Sequence, residues 1–110
     1  MKPNYRYVSD KEAELIKDKK EIPNIKPDGS PKHIYYSKDK FDTGTQAKDK
    51  LQLETTPTHR VEINPKNIQN PSNFSKVEGK PELGTGGGSE ATTPNPIKVA
   101  PDKVIPIPNK

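Results

Sequence analysis

The chain has 110 residues, a net charge of +4 and a pI near 9.2, and only 26% of its residues are hydrophobic. These values predict one small domain with a thin core and long loops, in which the last twenty residues are poorly ordered. No apolar run in the sequence is long enough to span a membrane. Cysteine is absent, which excludes disulfides, thiolate zinc sites and a thiol nucleophile, and the widely spaced His33 and His59 do not predict a metal site.

The first predicted unit is a strand followed by a helix. Residues 4–8 alternate their side chains as a strand does, and residues 9–12 have the Ser-x-x-Glu capping-box pattern that begins a helix. The helix is expected to run to about Lys20. Its predicted buried stripe consists of Ala13, Leu15 and Ile16.

A proline-rich loop at residues 21–32 separates this unit from a second one. Residues 33–37 are rich in strand-favouring side chains, which predicts a second strand. Residues 43–46 form another capping box, and the helix that begins there is expected to end near Leu53.

The second half of the chain predicts strands and long connections. Residues 58–63 alternate clearly as a strand, whereas residues 64–85 are predicted to be a long polar loop. Two short strands are expected at residues 91–93 and 97–99. Prolines confine residues 104–108 to an edge strand or an extended tail.

This order of elements predicts an α+β domain, in which two short helices pack on a small twisted antiparallel or mixed sheet of about five short strands. The domain comprises residues 1–110, with a core at about 4–100 and an edge strand or tail at 101–110.

Three polar residues near predicted strand ends are the candidate catalytic residues. Arg6 suits a phosphate or pyrophosphate because its guanidinium donates paired hydrogen bonds, and Ser37 suits a ribose hydroxyl. Glu90 follows three consecutive glycines, and a carboxylate beside a flexible turn is placed to stabilise an oxocarbenium-like transition state. Each residue also has an ordinary explanation: a surface ion pair, a turn serine, and the end of a glycine linker.

Six short segments between residues 5 and 100 carry a resemblance to a known family. They are residues 5–9, 12–14, 35–37, 46–53, 57–61 and 86–90, which include Tyr-Arg-Tyr-Val-Ser, Glu-Ala-Glu and Gly-Gly-Gly-Ser-Glu. In this order they resemble the C-terminal toxin domains of bacterial polymorphic toxins, such as Rhs-type effectors. These domains in turn resemble ADP-ribosyltransferase toxins, including those that modify elongation factor Tu, with an Arg–Ser–Glu signature on successive core strands.

The resemblance implies a mono-ADP-ribosyltransferase, a glycosyltransferase that uses NAD as co-substrate. Arg6 would bind the NAD phosphates, Ser37 would brace the nicotinamide ribose and Glu90, and Glu90 would promote loss of nicotinamide. The remaining residues implied to bind NAD are Tyr35 and Tyr36, one of which would stack on nicotinamide, and Gly87 and Gly88, whose backbone NAD would approach.

The resemblance also implies partners and a location. The domain would be secreted as part of a larger toxin in competition between bacteria and would act in the target-cell cytoplasm. Its target would be a bacterial protein, such as elongation factor Tu, and a cognate immunity protein would be acidic because the toxin surface is basic.

Two alternatives stay open on the sequence. A metal-independent ribonuclease toxin would use His59 and Arg60, with His33 and Lys32 as further candidates, and would contact nucleic acid. The scattered lysines show no aromatic-interleaved basic stripe, which argues against single-strand binding. A non-enzymatic binding module would leave Glu90 without a catalytic role.

Overall fold

The computed structural model describes residues 2–110, which form two helices and eight short strands. The helices are α1 (Asp10–Lys19) and α2 (Gly44–Leu51). The strands are β1 (Asn4–Val8), β2 (Glu21–Ile22), β3 (Ile34–Tyr36), β4 (His59–Ile63), β5 (Ser75–Lys76), β6 (Ser89–Thr93), β7 (Ile97–Lys98) and β8 (Val104–Pro106). The expected α+β class and the two helices are confirmed, but the strands outnumber the expected five.

The strands form two three-stranded sheets and one separate pair, and every pairing is antiparallel. One sheet has the order β1-β4-β8, the other has the order β3-β6-β5, and β2 pairs with β7. An antiparallel bridge between Tyr5 and Ser37 joins the two larger sheets. The two backbone hydrogen bonds of this bridge are both 2.7 Å long.

Helix α1 begins where its sequence pattern predicts, but only half of the capping box forms. The Ser9 hydroxyl accepts the Glu12 N–H at 3.2 Å, whereas the Glu12 carboxylate binds Arg6. Ile16 is buried, but Leu15 is 40% exposed, so its assignment to the buried stripe was wrong. The apolar face of α1 is therefore narrower than expected.

Helix α2 also begins at its predicted cap, where the Thr43 hydroxyl accepts the Gln46 N–H. It ends at Leu51, two residues earlier than expected, because Gln52 adopts a left-handed conformation with φ of 57°. Leu51 and Leu53 pack beside a small aromatic cluster that is distinct from the main core. This cluster contains Tyr5, Tyr7, Phe41 and Ala47.

The loops contain more regular structure than their composition predicts. The 21–32 segment begins with β2, and the 64–85 segment contains β5 and a 3-10 turn at Pro65–Asn67. Segments this short depend on their partner strands, because two residues have little preference of their own. The last twenty residues include the end of β6, all of β7, and β8 as the expected edge strand on β4.

Candidate active site

A cleft of about 280 Å³ lies where β1, β3 and β6 approach the end of α2. Arg6, Ser37 and Glu90, the three candidate catalytic residues, all line it. They come from β1, from the residue after β3, and from β6, so residues far apart in sequence meet in one place. The other lining residues are Tyr5, Tyr7, Tyr35, Tyr36, Leu51, Leu53 and Ser89.

The sheet register explains why these residues meet. Tyr36 pairs with Ala91 across β3 and β6, so the next pair along this register is Ser37 and Glu90. Ser37 also bridges Tyr5 on its other side. Ser37 therefore stands at the junction of the two sheets, with Glu90 on one side and β1 on the other.

Arg6 lies in the middle of β1 and is largely occupied by protein groups. Its Nε donates to Glu12 Oε2 at 2.6 Å and its Nη2 donates to Glu12 Oε1 at 3.2 Å. Its Nη1 donates to the Tyr35 carbonyl at 2.8 Å, which links β1 to β3 beside the bridge. A guanidinium has five N–H donors, so three are used here and two are not.

The Ser37 hydroxyl is buried. The resemblance implies that it braces Glu90, but it makes no hydrogen bond to Glu90. It lies 3.1 Å from the Ser89 hydroxyl and accepts the Asp39 N–H at 3.0 Å. Asp39 Oδ2 in turn accepts the Ser89 N–H at 2.7 Å. The Ser37 hydroxyl is thus linked to Ser89, the residue before Glu90, and no hydrogen bond joins the side chains of Ser37 and Glu90.

Glu90 is the second residue of β6, where it pairs with Ser75 of β5. The side chain is half-buried and lines the cleft. Within residues 2–110, no hydrogen bond or ion pair engages its carboxylate. This carboxylate is therefore available to a ligand in the cleft.

The two tyrosines of β3 have different environments. Tyr35 is 54% exposed, which leaves its ring accessible from the cleft. Tyr36 is buried, and burial raises the pKa of its hydroxyl. Its ring meets Phe74 edge-on, with 5.7 Å between the centroids. Of the two, Tyr35 has the exposure that stacking on a ligand requires.

The glycines assigned to NAD binding lie outside the cleft. Gly87 and Gly88 line neighbouring surface depressions with Asp39. Their backbone N–H groups donate to the Val77 and Lys50 carbonyls, and Gly86 donates to Asp49. Because these donors are used within the chain, the glycine turn does not offer a backbone cradle for phosphate.

The residues of the ribonuclease alternative do not line the cleft either. His33 is exposed just before β3, and the His59 ring on β4 contacts the Thr58 hydroxyl at 2.8 Å. Arg60 is buried and donates to the Phe41 carbonyl at 2.9 Å. Since β1 separates β3 from β4 in the joined sheets, the two histidines belong to different parts of the fold.

The sequence did not single out Ser89, which lines the cleft, or Asp39, which binds Ser89 from outside it. A serine followed two residues later by an aspartate is a pattern for local side-chain-to-backbone bonds, and Ser37-Lys38-Asp39 has it. This pattern predicts a local turn, but it does not predict that Asp39 belongs to a site. The contact between Asp39 and Ser89 joins residues fifty positions apart and has no local signature.

No group of three or more metal-ligating side chains occurs among residues 2–110. None of the helices in this part of the chain has the length and hydropathy to cross a bilayer. No family model, curated protein or solved structure matches the chain.

Proposed function

We propose that the chain is the ADP-ribosyltransferase domain of a bacterial polymorphic toxin of Rhs type and that it modifies a protein of the target cell. The observation that carries the proposal is the placement of Arg6, Ser37 and Glu90 in one cleft, on β1, directly after β3 and on β6. This shared placement supports an Arg–Ser–Glu signature, and we infer an ADP-ribosyltransferase-like fold from it.

Arg6 is the residue proposed to meet the NAD phosphates. Its bonds to Glu12 and Tyr35 hold the guanidinium in place before the ligand arrives. The two remaining N–H donors are suited to a phosphate oxygen, because charged donors form the strongest hydrogen bonds to anions. Glu12 therefore acts as an orienting partner of Arg6 in this proposal.

Glu90 is the residue proposed to promote the reaction. The bond between the nicotinamide nitrogen and ribose C1′ breaks, its electron pair leaves with nicotinamide, and the positive charge that develops on the ribose faces the carboxylate. A nucleophile of the target protein then attacks C1′, and Glu90 accepts the proton that this nucleophile loses. Tyr35 offers its exposed ring to nicotinamide, and Ser37 holds the strand beside Glu90.

The proposed partners follow from this activity. The target is a bacterial protein such as elongation factor Tu, and the domain acts in the target-cell cytoplasm after secretion as part of a larger toxin. An acidic immunity protein that covers the cleft suits the net charge of +4, because opposite charge steers association.

The test is transfer of label from NAD to a protein. Purified protein incubated with labelled NAD and a bacterial lysate is expected to label a discrete band. Glu90→Gln is expected to lower this labelling about 100-fold or more, because it removes the charge that stabilises the transition state.

Glu82→Gln is the matched control, since it makes the same charge change at an exposed residue outside the cleft and is expected to keep full activity. A wild-type protein that labels nothing, or a Glu90→Gln variant with wild-type labelling, contradicts the proposal. Cleavage of cellular RNA that survives Glu90→Gln but is lost in His59→Ala would support the ribonuclease instead.

A further inference from the structure

We propose that Asp39 is a positioning residue of this cleft, which rests on the transferase function proposed above. Asp39 is not among the residues that line the cleft. It is inferred to act by holding the backbone next to Glu90 and the hydroxyl of Ser37 in place.

Asp39 connects three strands that form the cleft. Its Oδ2 accepts the N–H of Ser89 at the start of β6, at 2.7 Å. Its own N–H donates to Ser37 Oγ after β3, at 3.0 Å. Its carbonyl accepts the hydroxyl of Tyr7 on β1, at 2.7 Å. Asp39 thus binds three cleft-lining residues, Ser89, Ser37 and Tyr7, which come from three separate segments of the chain.

Ser89 is the most informative of these contacts because it precedes Glu90 directly. Ser89 is buried, and its hydroxyl accepts the Lys38 N–H at 3.2 Å and lies 3.1 Å from the Ser37 hydroxyl. The Ser89 N–H needs an acceptor because water does not reach a buried group freely. The charged carboxylate of Asp39 supplies a strong one.

The bond from Ser89 to Asp39 continues the attachment of the glycine turn into β6. The N–H groups of Gly86, Gly87 and Gly88 bind carbonyls of the chain, and the next N–H, that of Ser89, binds Asp39. Asp39 therefore fixes the residue that lies between the turn and Glu90. An active-site group displaced by about 1 Å can lose about 100-fold in rate, so a fixed point beside Glu90 has a catalytic consequence.

The test compares Asp39→Asn and Asp39→Ala with the wild type in the NAD labelling assay. Asp39→Asn keeps an oxygen that accepts the Ser89 N–H but loses the charge, so we expect an intermediate kcat. Asp39→Ala loses the acceptor and is expected to lower kcat by about 10- to 100-fold with KM for NAD changed less than about threefold. Asp18→Ala, which removes an exposed carboxylate on α1, is the control and is expected to be neutral.

A double-mutant cycle separates positioning from general stability. In the Glu90→Gln background, Asp39→Ala is expected to have almost no further effect, because a residue that acts through Glu90 has nothing left to position. Equal losses in both backgrounds overturn the proposal. If Asp39→Ala does not fold, the same cycle with Asp39→Asn decides.

Amide hydrogen exchange gives a readout that needs no activity. Asp39→Ala is expected to accelerate exchange at Ser89 and Glu90 more than at Val61 in the core. Unchanged exchange at Ser89 overturns the positioning role even in an active enzyme. An inactive wild type with accelerated exchange at Ser89 in the variant overturns the transferase and leaves Asp39 as an anchor of β6 only.

Discussion

At the scale of single residues, an ion pair with Arg6 determines which group the Glu12 carboxylate binds. Its position three residues after Ser9 predicts a bond to the backbone of the helix start, but its carboxylate binds the Arg6 guanidinium through two hydrogen bonds. Charge-assisted paired bonds are stronger than a bond to one backbone N–H, so the pairing with Arg6 wins. The sequence shows Arg6 and Glu12, but it does not show that β1 and α1 bring their side chains within hydrogen-bond distance.

Tyr7 provides a prediction on pH dependence. Its hydroxyl donates to the Asp39 carbonyl and accepts the Phe41 N–H at 2.6 Å, and burial raises its pKa to about 12. Because the folded state holds this proton more tightly than the unfolded chain does, the stabilisation is complete below about pH 10 and is lost as pH rises through about 12.

Tyr7→Phe is therefore expected to lower the free energy of unfolding by about 1–3 kcal/mol at pH 7, because the Phe41 N–H loses its partner. The difference from wild type is expected to shrink between pH 10 and pH 12. Urea denaturation at pH 7, 9 and 11 measures both effects. A difference that is the same at pH 11 as at pH 7, although pH 11 lies above the usual tyrosine pKa of about 10, argues against a bound proton at Tyr7.

At the scale of elements, the glycine turn at residues 86–88 is a packed structural turn. Gly86 and Gly88 are buried, and the three N–H groups of the turn bind carbonyls of α2 and of Val77. The sequence predicts the turn from its glycines, since positive φ is accessible to few other residues. It does not predict that α2 fills the space beside the turn.

Two alanine substitutions in this turn are expected to differ. At Gly86, φ is +71° and an added Cβ would lie 2.5 Å from the Gly79 nitrogen, so strain and a backbone clash combine. At Gly87, φ is +99° but no heavy atom lies within 4 Å of the added Cβ. We expect Gly86→Ala to lower the free energy of unfolding by at least about 3 kcal/mol and Gly87→Ala by about 1–2 kcal/mol.

Thermal and urea denaturation of the two variants measure this difference. Equal destabilisation would mean that positive φ alone controls the turn. Gly87→Ala also tests whether NAD approaches this backbone, because it is expected to leave KM for NAD unchanged if the ligand occupies the cleft of Arg6 and Glu90.

At the scale of the whole molecule, the C-terminal segment completes the fold. The Gly44 N–H at the start of α2 donates to the Pro108 carbonyl at 2.8 Å, and the Thr45 N–H donates to the Asn109 carbonyl at 2.8 Å. These are first-turn donors that have no partner inside a helix. The Ile107 N–H donates to the carbonyl of Thr58, the residue before β4, and Ile107 packs beside the aromatic cluster. Residues 107–109 therefore link the start of α2 to the start of β4.

Deletion of residues 107–110 is expected to lower the free energy of unfolding by about 3 kcal/mol, since it removes several hydrogen bonds and the Ile107 contact. For a domain of this size, the expected decrease in Tm is roughly 10–20 °C. Deletion of Lys110 alone is the control and is expected to change Tm little. An unchanged Tm after the longer deletion would show that this segment does not support α2.

The sequence by itself determined the α+β class, the starts of both helices and the positions of the longer strands, because these depend on caps, alternation and prolines within a few residues. It also indicated Arg6, Ser37 and Glu90 as candidate catalytic residues, but it did not determine how close they lie to one another. The tertiary structure decided that these residues share a cleft, that Glu12 binds Arg6 and Asp39 binds Ser89, and that Gly87 and Gly88 lie elsewhere. It also decided the two-residue strands β2, β5 and β7, which form only because a partner strand satisfies their backbone. Long-range pairing in register sets all of these features, and no local pattern in the chain encodes it.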